Sequence, residues 1–248
     1  MRTPEDLNPC DGYAAWAPIY DDDGNPLTAV EGPALRRWFG PLTGRRAIDL
    51  GCGTGRHTEA LVDAGAAWVA ALDPSPEMMA RARAGLLGRP VDWVRHALPS
   101  PLPFGDATFG LAVLGLVVEH IAAVGPALAE VTRVLAPGGR CLLSALHPDR
   151  TAEGQRARFI DPASGLRRSI TTYHRTAADY RAAGAAAGLV LDAEEDLTVP
   201  PGLAERLPRA LPYVGRNLGW LACWTKPPRP PLAGPPRGTG MVRPRGPA

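Results

Sequence analysis

Apolar and polar positions along the chain alternate between two periods. Short apolar runs of about five residues, of the kind that form strands buried on both faces, are followed by stretches repeating at helical spacing. Residues 1–44 are a Pro/Gly-interrupted preface with one short amphipathic helix expected around 33–39. Residues 46–50 then read as a buried strand feeding a helix at about 54–64 that stops at Gly65. A strand at 67–72 leads to a helix announced by Ser75-Pro76-Glu77, where Ser suits the N-cap, Pro the first helical position and Glu the helix dipole. Residues 91–95 predict a third strand, but Pro99, Pro101 and Pro103 leave no room for a full helix before the strand at 111–116. A helix at about 126–135 ends at Pro137-Gly138-Gly139, and 140–146 reads as the next buried strand. Thr176 and Asp179 make a capping-box start for a helix closed by Gly188, before a strand at 189–193, and 218–225 is the last predicted strand.

Strand and helix in alternation predict a parallel sheet covered by helices on both faces. The domain is expected to run over residues 45–226, with 1–44 as an N-terminal cap segment. Two stretches, 147–175 and 199–217, break the repeat and are expected to be lid-like insertions. Residues 227–248 hold eight prolines, four glycines and four arginines in 22 positions, a composition expected to remain a disordered tail.

Charge narrows the function. The 27 basic side chains less the four in the tail leave 23 against 25 acidic ones in residues 1–226. A mildly acidic body has no basic stripe for a nucleic-acid backbone, so no nucleic-acid partner is expected. The longest uninterrupted apolar run, 109–118, is half of the roughly 20 residues a membrane span requires, and Glu5 and Asp6 stand where a signal peptide is apolar. No membrane association is expected, and the location expected is cytoplasmic. Cys10, Cys52, Cys141 and Cys223 are far apart with no CxxC pair, which argues for reduced thiols and against a disulfide framework or a metal site.

The sharpest signal is Ala47-Ile48-Asp49-Leu50-Gly51-Cys52-Gly53-Thr54-Gly55, a strand ending in alternate glycines that open a helix. Such a loop lets a ligand approach the backbone beside the positive end of a helix dipole. Arg56 follows Gly55, so the third glycine of the dinucleotide GxGxxG pattern is missing, and no GxxxxGK[ST] phosphate loop occurs. Hydride and phosphoryl transfer both lose ground.

This loop resembles the first motif of class I S-adenosylmethionine-dependent methyltransferases. Asp73-Pro74-Ser75-Pro76-Glu77-Met78-Met79, Leu102-Pro103-Phe104 with 109–113, and the run "EVTRVLAPGG" at 130–139 are similar to later motifs of that family, in the right order. The resemblance implies an α/β fold: a Rossmann-like, doubly wound, seven-stranded, mostly parallel sheet with helices on both faces and the last strand antiparallel. It also implies S-adenosyl-L-methionine as cofactor. By that resemblance Gly51, Cys52, Gly53 and Gly55 leave room for the methionine part, with Asp49 near its ammonium. Asp73 accepts two ribose hydroxyls beside Pro74, Met78 packs on the adenine, and the backbone at Leu114 and Gly115 lines the methionine end. Two positions depart from the pattern: His96-Ala97 replaces an adenine-binding Asp, so that His96 or the backbone at Ala97 and Leu98 stands in, and Gly110 replaces an Asp after Phe109.

Methyl transfer is an in-line displacement in which a hydroxyl acceptor also loses its proton, to a histidine base or, since proximity alone supplies much of the acceleration, with no dedicated base. Of the five histidines, His57 falls in the helix after the glycine loop, where it is expected to pack or to point to solvent. His120 lies just beyond a strand at the ligand-binding edge of the sheet and is the first candidate, with His147 and His174 as further candidates for base or substrate anchor. Tyr13, Trp16 and Tyr20 resemble the aromatic lead segment that many small-molecule members fold over the site, where aromatics can cage a sulfonium. The expected reaction is methyl transfer to a small metabolite, at oxygen by default. An enzyme of the same fold using the cofactor as a cyclase, isomerase or decarboxylase, or a catalytically dead scaffold, is the alternative.

Overall fold

A computed structural model describes residues 6–228; the expected tail therefore lies almost entirely outside the described residues. The chain begins with β1 (Asp6–Leu7) and α1 (Pro9–Trp16), followed by α2 (Pro26–Arg36). The α/β repeat runs through β2 (Arg46–Leu50), α3 (Arg56–Asp63), β3 (Trp68–Asp73), α4 (Pro76–Gly85), β4 (Val91–Arg95) and β5 (Phe109–Gly115). It continues with α5 (Val124–Val134) and β6 (Leu135–Leu146). Residues 147–175 contain α6 (Pro148–Ala152), β7 (Arg158–Ile160) and β8 (Arg167–Ile170). The chain then forms α7 (Ala177–Ala186), β9 (Val190–Thr198), α8 (Pro201–Arg206) and β10 (Asn217–Thr225).

Seven strands form one sheet in the order β4-β3-β2-β5-β6-β10-β9. Strands β2 to β6 are parallel, and β10 runs antiparallel to both neighbours, as expected of the last strand. The order reverses between β2 and β5, and open α/β sheets bind ligands beyond the strand ends at such a reversal. Alternate residues of each strand feed two cores. Ile48, Leu50, Leu72 and Leu114 pack with Leu128 and Val131 of α5 and Tyr180 of α7. Ala47, Val69, Val113 and Leu142 face the other way, onto Leu35 of α2 and Leu61 of α3. Helices thus cover both faces. The hairpin β7–β8 adds β1 to make a separate three-stranded sheet.

Three elements differ from the expectation. Helix α2 starts at Pro26, not near residue 33, because the Asn25 side chain accepts from Leu27 N at 2.9 Å and Pro26 takes the first position; Pro33 lies inside the helix. β6 begins at Leu135, and the register against β5 slips between Phe109 and Leu111, so that Pro137-Gly138-Gly139 forms a bulge in the strand. β9 extends to Thr198: it is the sheet edge, where the charged run Asp192–Asp196 faces solvent on alternate positions and hides the strand pattern. As expected, no helix fills the Pro-rich link from β4 to β5. Arg133 of α5 holds it instead, donating to the carbonyls of Leu102 (3.0 Å) and Phe104 (2.8 Å).

Candidate active site

Two cavities meet at the C-terminal edge of the sheet. The first, of about 310 Å³, is lined by the ends of β2, β3 and β5 and by the segment after β4. The glycine loop is shaped by backbone bonds: Gly51 N and Cys52 N both donate to Leu72 O, at 2.7 and 2.9 Å, which folds the loop over the end of β3. Gly51 has φ +75°, and a Cβ there would lie 2.3 Å from Val117, so the approach of the segment after β5 requires glycine. Gly53 has φ +54°, and a Cβ there would meet nothing within 4 Å, leaving a cradle open to the cavity.

Asp73 ends β3 at the floor of this cavity, 7% exposed. Its Oδ2 accepts from Gly53 N at 2.9 Å and its Oδ1 from Ser75 N at 2.8 Å. Burial pushes its pKa up to about 6, against the pull of those two backbone donors. Each oxygen keeps a second acceptor position, so the carboxylate can take a pair of hydroxyl donors. Ser75 caps α4 through Met78 N at 3.3 Å, which sets Met78 beside Leu98 and Ile121 on the cavity wall, an apolar surface for a flat ring. An open glycine cradle beside a carboxylate with spare acceptor positions and an apolar slot fits an adenosyl group with an attached amino acid.

Of the residues expected at a cofactor, Gly51, Gly53, Asp73, Pro74, Met78, Ala97, Leu98 and Gly115 line this cavity, and His96 lies among them with its Nε2 bonded to Ser100 O at 3.1 Å. Asp49, Cys52, Gly55 and Leu114 do not. Asp49 shares the face of Ala47 toward α3, where Oδ2 accepts from Thr58 at 2.6 Å and Oδ1 has no partner. Cys52 packs its thiol against Ala71 and Met79, and burial pushes that thiol well up. Gly55 starts α3 with φ +93°, pressed against Ala82 of α4, and Leu114 is core. Gly110 sits at the opposite end of β5, next to Arg45, so its departure from the family pattern falls away from the cavity.

Helix α1 closes one side of the cavity through Asn8, Pro9, Cys10 and Tyr13, residues that no periodic signal marked. Tyr13, Tyr20, Leu116 and His120 line both this cavity and a second one of about 420 Å³. His120 Nδ1 is 2.7 Å from Thr171 O, a carbonyl that only accepts, so the ring donates there and its Nε2 accepts from the Tyr13 hydroxyl at 2.9 Å. Burial raises the Tyr13 phenol well above the ordinary tyrosine value and that of Tyr20 to about 12. Leu116 holds φ +59°, a strained backbone at this junction. Trp16 stacks on Phe159 at 5.0 Å and reaches only the second cavity.

The other two candidate histidines stand apart from both cavities. His147 caps α6 through Asp149 N at 3.3 Å and pairs with Asp196 at 3.1 Å, and His174 is exposed, 2.7 Å from the Thr151 hydroxyl. Of the two positions expected for His57, packed or facing solvent, the structure has the first: it is buried and bonds Glu31 at 3.0 Å. Glu31, which sequence reading passed over, also pairs with Arg56 and accepts from Ser144 at 2.6 Å. Burial alone would raise its pKa, but His57, then Arg56 and Ser144, offset this and hold it at about 2. Glu119, buried beside His120, accepts from Leu146 N at 3.1 Å through one oxygen, while the other has no donor.

Comparison with known proteins agrees with this geometry. Residues 48–143 match a family described as a methyltransferase domain. An uncharacterised methyltransferase of Emericella nidulans is 30% identical over 215 residues, 72% of this chain and 74% of that one. A malonyl-[acyl-carrier protein] O-methyltransferase of Erwinia pyrifoliae is 37% identical over 106 residues, 43% of this chain and 39% of that protein. The crystal structure of an S-adenosylmethionine-dependent methyltransferase from Mesorhizobium loti, 25% identical, superimposes with a TM-score of 0.68 over 81% of this chain and all of that one. The fold, the glycine cradle with Asp73 and these similarities together make this chain a member of the class I S-adenosylmethionine-dependent methyltransferases.

Proposed function

We propose that the chain methylates a small molecule at oxygen, with the cofactor in the first cavity and the acceptor in the second. One observation carries this reading: the two cavities share a wall made of Tyr13, Tyr20, Leu116 and His120. An acceptor held in the second cavity would lie next to a methyl group held in the first, the proximity that an in-line displacement needs. S-adenosylmethionine supplies that methyl as an electrophile on a sulfonium. In this reading Asp73 takes the ribose hydroxyls, Met78 and Leu98 flank the adenine, and Gly51, Gly53 and Gly115 leave space for the amino-acid end. Tyr13 and Tyr20 face the sulfonium with their rings.

The base is His120. A proton leaving an acceptor hydroxyl would pass to the Tyr13 oxygen while the Tyr13 proton moves to His120 Nε2, along the 2.9 Å hydrogen bond between them, and the imidazolium so formed would hold it. His147 and His174 take no part, since neither lines either cavity. Cavities of about 310 and 420 Å³ are in the range for small ligands, which supports a metabolite over a polynucleotide. Among the described residues no helix is long and apolar enough to cross a membrane. Oxygen as the acceptor is supported by the relative whose name is an O-methyltransferase.

The test is calorimetric titration with S-adenosylmethionine and with S-adenosylhomocysteine, followed by an acceptor screen that reads S-adenosylhomocysteine release. Saturable one-site binding of both is expected. Absence of binding by either would overturn the assignment of the first cavity.

A further inference from the structure

The second cavity is basic, and its arginines come from the two stretches that break the α/β repeat. Arg150, Arg156 and Arg158 enter it from 147–175 and Arg209 from 199–217, against the carboxylates of Asp23 and Glu119. Two of the arginines are engaged: Arg209 donates to Asp23 Oδ1 at 2.6 Å, and Arg156 pairs with Asp6. The other two have charge to spare. Arg158 has no side-chain ion pair or hydrogen bond among the described residues. Arg150, with its side chain only 12% exposed, meets Glu153 at 3.2 Å, an acid that is itself 60% exposed, and its guanidinium lies 5.8 Å from the Tyr213 ring centre. A largely desolvated guanidinium with so weak a counter-ion is satisfied best by an oxyanion, which its fork binds through paired hydrogen bonds.

The Glu119 carboxylate, 4% exposed, also lines this cavity, and its oxygen without a donor calls for an O–H or N–H from a ligand. Glu119 adjoins His120, beside the wall shared with the first cavity. We propose that the acceptor is a small organic acid, its carboxylate or phosphate held by Arg150 and Arg158 with Gln155 and Tyr213 as neutral donors, and its hydroxyl turned toward Glu119 and the Tyr13–His120 pair. This rests on the reading of the second cavity as the acceptor site.

The test titrates protein saturated with S-adenosylhomocysteine with 4-hydroxybenzoate, phenyl phosphate, benzoate and the neutral 4-hydroxybenzamide, in calorimetry and without turnover. Binding of 4-hydroxybenzoate at least about tenfold tighter than the amide is expected, and the tighter of phenyl phosphate and benzoate, which both lack the hydroxyl, identifies the oxyanion. Benzoate, lacking the hydroxyl, should bind more weakly than 4-hydroxybenzoate. Arg158→Ala, an exposed strand position, and Arg150→Ala should each remove most of the preference for the acid, while S-adenosylhomocysteine affinity stays within about twofold. Equal or undetectable binding of all four compounds, or an undiminished preference in both variants, overturns the proposal. Loss of S-adenosylhomocysteine binding by the unmodified protein would instead overturn the assignment of the first cavity.

Discussion

In the proposed reaction His120 and Asp73 have opposite surroundings for a polar side chain. His120 is held on both ring nitrogens, so its tautomer is set by Thr171 O and its lone pair is directed at Tyr13. We expect His120→Ala to lower turnover about 10²–10⁴-fold with cofactor affinity nearly unchanged, and Tyr13→Phe to act in the same direction; full turnover in both, measured by S-adenosylhomocysteine release, removes the relay. Asp73 is desolvated and keeps spare acceptor positions. Asp73→Ala should weaken S-adenosylhomocysteine binding by ~1–3 kcal/mol in calorimetry, and unchanged affinity removes the ribose role. Gly115, which lines the first cavity, is also required by packing: a Cβ would stand 2.5 Å from His57 and 3.2 Å from Glu31 Oε1. Gly115→Ala should therefore lower stability by ~1–3 kcal/mol in urea denaturation.

Between elements, the Glu31 network joins α2 to α3 and β6 through Arg56, His57 and Ser144. Its carboxyl lies below the ordinary glutamate value in the folded chain, so its stabilisation is complete above that ordinary value and is lost as pH falls toward about 2. Glu31→Gln should lower stability by on the order of 3 kcal/mol at pH 7, because it leaves Arg56 without its buried partner, and much less near pH 2. Equal losses by urea denaturation at both pH values would show that the network contributes only packing. No sequence pattern marked Glu31, because the Pro33 in its helix reads as a start, whereas Asn25-Pro26 is the cap in use. The same kind of masking hid the outer half of β9, where charged residues on an edge strand break the apolar run.

For the molecule as a whole, the proposed site would couple ligand binding to proton binding through Asp73. In the free protein its pKa of about 6 lies above the ordinary aspartate value, so its contribution to stability is present at low pH and fades as pH rises through 6. Hydroxyl donors from a ligand favour the ionised form. Cofactor binding should therefore strengthen as pH rises toward and through 6, and the rise in melting temperature with saturating S-adenosylhomocysteine should be larger at pH 7.5 than at pH 5; equal shifts would exclude Asp73 from the contact. The sheet, the glycine loop, Asp73 and the order of the motifs were legible in the amino-acid sequence, because local spacing alone dictates apolar alternation, helix caps and a glycine turn. Strand order, the wall shared by two cavities, the position of His120 on that wall with His147 and His174 away from it, and the gathering of Arg150 and Arg158 were decided only by tertiary structure. They depend on contacts between segments far apart in the chain, such as Tyr13 with His120 or β1 with β8, and loops of mixed composition carry no periodicity from which those contacts can be read.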